Sequence, residues 1–117
     1  MQNTFEVVAR EWHTNQSYKW TEDYAGRVLT RLVNDIFPLI GSKPIKTVTG
    51  KDILEALRKI EDRGSIETAH RVKQFISQIF RYAQPTGRAE NDPAANLNNQ
   101  LKPVKHGSFA VLQTPKR

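Results

Sequence analysis

The sequence predicts an all-α fold, and three observations carry that prediction. Apolar residues recur at i, i+3, i+4 and i+7 in four separate stretches, the period of a helix with one buried face. Residues that suit helix caps precede these stretches, and Pro or Gly breaks the chain after most of them. No β-rich run or internal repeat competes with this pattern. At 117 residues, the chain has the size of one domain.

Asn3 with Glu6 three residues on suits a first helix start, and Phe5, Val8, Ala9 and Trp12 form its buried stripe. Asn15, Gln16 and Ser17 end it. A second helix opens at Thr21, with Glu22 and Asp23 at the positive end of its dipole. Ala25, Val28, Leu29, Leu32 and Ile36 share its inner face, and Pro38 and Gly41 stop it. Lys43-Pro44-Ile45-Lys46 reads as an extended connector. Thr49 and Asp52 make a capping signal for a third helix, buried through Ile53, Leu54, Leu57 and Ile60 and closed by Gly64. Glu55 and Lys59 are spaced to pair on its outer side.

Ser65 stands at the cap of a fourth and longest helix, running to about Gln84. Ile66, Ala69, Val72, Phe75, Ile76, Ile79, Phe80 and Ala83 cover more than half its girth, which makes it the central packing element. Asp92-Pro93 opens one short turn through Leu97. Residues beyond it lack periodicity, so the reading is a helical domain over 1–100 and a linker over 101–117.

Composition excludes much. Without cysteine there is no disulfide, thiolate zinc site or cysteine nucleophile. His13, His70 and His106 lie far apart and form no metal-binding spacing, and no nucleophile or phosphate-loop motif occurs. No catalytic residues, metal or cofactor are expected. Glu61-Asp62 lies where the helix dipole disfavours acid, and a solvated turn is its simplest reading. No apolar run approaches a membrane span or a signal peptide, so a cytoplasmic location and no membrane contact are expected.

The net charge of +6 favours an anionic partner. It is unevenly placed: residues 1–42 hold 4 basic and 5 acidic residues, 43–90 hold 10 and 6, and 91–117 hold 4 and 1. The outer face of the fourth helix carries His70, Arg71, Gln74, Ser77, Gln78 and Arg81. Gln and Arg make bidentate bonds to base edges, and Ser and Lys suit phosphate. Lys19, Trp20, Thr21, Tyr24, Arg27 and Arg31 place similar chemistry at the start of the second helix. An ordinary solvated face fits the fourth helix equally well, and Trp20 also reads as a staple into the core.

Four strings resemble the core-binding domain of phage-type integrases, the tyrosine recombinases, especially those of satellite phages and genomic islands. They are TFEVVAREWH, KWTEDYAGRVLTRLVNDIFPLIGSKPI, ILEALRKIEDRGSIETAHRVKQFISQIFRYAQPTGRAENDPAANL and LKPVKHGSFAVL. The stretch 60–97 carries the most specific match. The resemblance implies a four- to five-helix bundle of the SAM-like type that clamps one face of duplex DNA at the core attachment site. By position it points to Lys19, Thr21, Tyr24 and Arg27 at the start of the second helix. In the fourth it points to Ser65, Thr68, His70, Arg71, Gln74 and Arg81. Thr68 fits the helix-face reading least, because it falls towards the apolar arc.

The family's catalytic arginines, its H-x-x-R string and its tyrosine nucleophile belong to a following domain, and no H-x-x-R occurs here. The resemblance therefore implies a fragment of a longer integrase that binds DNA without cutting it. The isolated domain is expected to be monomeric and the intact protein to form a tetramer on DNA. A helical protein-interaction module with a basic face is the alternative.

Overall fold

The computed structural model describes residues 3–97 and 99–104. Four α-helices carry the fold: α1 (Phe5–Ser17), α2 (Glu22–Asp35), α3 (Gly50–Asp62) and α4 (Ile66–Ala83). No strand occurs among the described residues; the extended backbone is limited to one bridge, Thr4 with Pro44. The all-α expectation holds.

Each of the first three helices begins where a threonine hydroxyl accepts a free backbone N–H. Thr4 accepts from Val7, Thr21 from Tyr24 and Thr49 from Asp52. The cap of α1 is thus Thr4, one residue later than the Asn3 that the sequence suggests; Asn3 is used instead by its carbonyl, which accepts from Ile45 N. Asp52 returns a bond to Thr49 N, completing a reciprocal cap.

The chain does not stop at Pro38. It runs from α2 into a five-residue π-helical turn, Phe37–Gly41, which tolerates Pro38 near its start. Gly41 is required there, because a Cβ would lie 2.9 Å from the Phe37 Cβ. Lys43 and Pro44 are held against the N-terminus by Phe5 N donating to the Lys43 carbonyl (2.8 Å). The expected extended connector then gives way to a 3-10 turn over Ile45–Thr47, since Thr47 N and Oγ1 both donate to the Pro44 carbonyl. Gly64 joins α3 to α4 at φ +88°, a conformation that favours glycine. The Glu55–Lys59 pair is absent from the ion pairs among the described residues.

One core joins all four helices. α4 contributes Ala69, Val72, Phe75, Ile76, Ile79, Phe80 and Ala83, all buried. α1 lies across it, with Phe5 against Phe80 and Trp12 against Phe75 at ring separations of 5.9 and 6.0 Å. α3 adds Ile53, Ala56, Leu57 and Ile60, and α2 adds Val28 and Leu32. Ala94, Leu97 and Leu101 from the C-terminal segment complete the cluster.

Polar pins lock the periphery. Arg63 at the end of α3 grips Asp35 at the end of α2 through two bonds of 2.8 and 3.1 Å. Arg88 does the same to Glu11 of α1, which also accepts from the Tyr82 hydroxyl. The Arg88 hydrogen bond holds the Glu11 carboxyl below the usual carboxylate range, and Lys43 with the Thr49 N–H does so for Asp52. A depressed folded-state pKa adds stability that is full above the ordinary carboxylate range and fades as pH falls through the depressed value. Wild-type protein is therefore expected to lose melting temperature between about pH 5 and pH 3 more steeply than the Glu11→Gln/Asp52→Asn double variant. Parallel curves across that window would remove these pins from the acid response.

Candidate nucleic-acid interface

Burial of the apolar face of α4 leaves a polar strip of that helix facing outward. Arg71, Gln74 and Arg81 are exposed and Gln78 half-buried, and their spacing of three and four residues keeps them on one side. The strip is bordered on both sides. On one flank Arg31 of α2 donates to the Thr68 hydroxyl at 3.2 Å. On the other, Ser77 donates to Asp92, and the His70 ring donates from Nε2 to the Lys102 carbonyl at 2.7 Å.

Between α2 and the α3–α4 corner lies an open groove of about 600 Å³, lined among others by Gly26, Arg27, Thr30, Arg31 and Arg63. A smaller cleft of about 170 Å³ continues from it under Arg31, Thr68, Arg71 and Phe75. Arg31 lines both, so the two helices form one continuous surface. Acids share it. Glu22, Asp23 and Asp35 line the groove and Glu67 the cleft, and Asp35 is taken up by Arg63. The surface is a mosaic of guanidinium, amide and carboxylate, suited to directional bonding rather than to bulk attraction.

The structure brings together Arg27, Thr68 and Arg71 around Arg31, and sets Gln74 and Arg81 farther along α4. Lys19 is exposed at the head of α2. Thr21 and Tyr24 have structural tasks there. The Thr21 oxygen caps the helix, and the Tyr24 ring packs edge-on against Trp20 at 5.3 Å. Ser65 occupies the cap position of α4, but its side chain makes no capping bond. His70 is engaged with the C-terminal segment through one ring nitrogen.

Trp20 is the staple that one of its two sequence readings gives. Its ring lies 5.7 Å from Trp12 and 5.9 Å from His13, against the core. His13 in turn donates to the Ala25 carbonyl at 2.7 Å, tying α1 to the first turn of α2.

Glu61 overturns its simplest sequence reading. It is buried, 6% exposed, and accepts the Lys102 N–H at 2.6 Å. No periodicity marks that contact, which spans 41 residues. Arg31 was legible, since it stands four residues after Arg27 on the same helical face. Leu101 is buried and Lys102 is held by its backbone, so the chain is still docked past residue 100. His106 and the rest of 105–117 lie outside the described residues.

A small helical domain with a polar strip framed by a neighbouring helix and a docked tail is the class that this geometry defines. The chain belongs to the phage integrase central-domain family, whose model matches residues 5–100. It is 33% identical over 110 residues to the integrase of Shigella phage Sf6, and 34% identical over 109 residues to that of Enterobacteria phage P4. These alignments cover 94% and 93% of this chain but only 29% and 25% of the relatives. An NMR structure of a fragment of the E. coli phage integrase IntS superposes with a TM-score of 0.76 at 30% identity, covering 91% of this chain and 97% of that one. The helical bundle expected from the sequence is thus that of an integrase fragment.

The packing of Trp20 predicts that Trp20→Ala lowers unfolding free energy by about 2–3 kcal/mol in urea denaturation, as loss of a partly buried aromatic should. An unchanged midpoint would place that ring outside the core.

Proposed function

We propose that this domain binds duplex DNA with sequence preference, at the core of an attachment site, as part of a site-specific integrase. The observation that carries the reading is the framed strip of Arg71, Gln74, Gln78 and Arg81 beside Arg27 and Arg31. Family membership supports it, because integration and recombination act on DNA.

A helix that presents Arg and Gln at three- and four-residue spacing suits the major groove, where guanine offers two acceptors and adenine an acceptor and a donor. Arg27 and Arg31 on the adjoining helix suit phosphates, which fix register without reading sequence. Lys19 at the head of α2 extends that positive border. Thr21 and Tyr24 serve by holding the helix start, and Thr68 by holding Arg31. No H-x-x-R string is present, so strand cleavage is assigned to other parts of an intact integrase. In this reading the isolated domain is a monomer, and the intact protein assembles as a tetramer on DNA in the cytoplasm of a bacterial host. Among the described residues, no helix is long and apolar enough to cross a membrane.

Fluorescence anisotropy with labelled duplexes tests the reading. If about five phosphates are neutralised, log affinity falls with log salt at a slope near −4.5. Arg71→Ala is expected to cost about 1–3 kcal/mol of binding. Unchanged affinity would take Arg71 out of the interface. Failure to bind any duplex at low salt, with capture of an acidic protein instead, would favour a protein-interaction module.

A further inference from the structure

The segment after Leu97 returns to the body and is clasped at one residue. Lys102 gives its N–H to the Glu61 carboxylate at 2.6 Å and its carbonyl accepts from the His70 ring at 2.7 Å. The two side chains come from different helices, α3 and α4. Leu101, just before, is buried in the core cluster. Glu61 is the one buried charged residue among those described. Detaching the tail would leave its carboxylate without that donor, at the cost of an unsatisfied buried group.

The clasp grips only backbone. The Lys102 side chain remains exposed, and its ammonium makes no ion pair among the described residues. The Lys102 main chain lies beside His70, which is itself one residue from Arg71 and one helical turn from Gln74, so the lysine is rooted at the edge of the strip. A lysine whose main chain is already fixed loses less freedom on meeting a phosphate.

The same geometry constrains His70. A carbonyl oxygen only accepts, so Nε2 must carry the proton it gives to Lys102. That nitrogen is committed within the domain.

We infer that Lys102 is a phosphate-contacting residue of the α4 surface, and that His70 and Glu61 are positioning residues that act through it. This rests on the DNA-binding reading above and assigns His70 a different task from base recognition. The strip is thereby completed by a residue from outside the four helices.

A double-mutant cycle tests the inference. Wild type, His70→Ala, Lys102→Ala and the double variant are titrated against two mixed-sequence duplexes of unrelated sequence, over a range of salt. Lys102→Ala is expected to weaken binding several-fold on both duplexes and to reduce the salt slope by about 0.9. His70→Ala should do the same although it removes no lysine, and the double variant should match either single one. Amide exchange at Lys102 in the free protein should accelerate in His70→Ala, with melting nearly unchanged because His70 is half-buried at the surface. Lys102→Ala binding like wild type overturns the contact. Additive losses, or a His70→Ala effect confined to one duplex, overturn the positioning role and make His70 a direct reader. A wild-type domain that binds no duplex ends the DNA-binding reading itself, whatever the exchange data show.

Discussion

Everything in this fold depends on the burial of α4. Seven of its eighteen residues are fully enclosed by α1, α3 and the C-terminal segment, and each large apolar side chain so placed contributes about 1.5–3 kcal/mol. A helix enclosed to that degree cannot tilt or turn without opening the core. Whatever remains exposed on it is therefore presented in a fixed register. That rigidity lets a handful of side chains on one strip address a partner with defined spacing.

The rest of the structure frames the strip. α2 is held at one end by the edge-to-face packing of Trp20 on Trp12 and at the other by the Asp35–Arg63 pair. Its Arg31 thereby meets Thr68 on α4. On the opposite flank, the tail is docked through Asp92 and Lys102. The candidate surface thus draws on three stretches of chain, and its arginines stand among carboxylates rather than in a uniform positive field. Such an arrangement favours directional bonds over general attraction.

Helix identity was legible because helix signals are local. Threonine caps, the 3.6-residue apolar period and Gly64 at a left-handed turn each act within a few residues, and the first, second and third helices appear close to where those signals put them. Long-range features were not legible. Glu61 looks like a misplaced surface acid in sequence, because its partner lies 41 residues away in a stretch without periodicity. The turn over Ile45–Thr47 was hidden for a different reason: proline argues only against helix, while hydrogen bonds to its carbonyl decide what forms instead. Among the candidate site residues, Arg71, Gln74 and Arg81 follow from helical spacing alone. Thr68 was named only by the family resemblance, and its bond to Arg31, like the tail contact of His70, appears only in the structure.

The most direct check is a residue-resolved NMR titration of the domain with duplex DNA. Perturbed amides and side chains should concentrate at Arg71, Gln74, Gln78 and Arg81, and at Arg27 and Arg31 across the groove. Shifts confined to the outer face of α3, at Lys51, Glu55 and Lys59, with the α4 strip silent, would contradict the assignment of that strip as the DNA-facing surface.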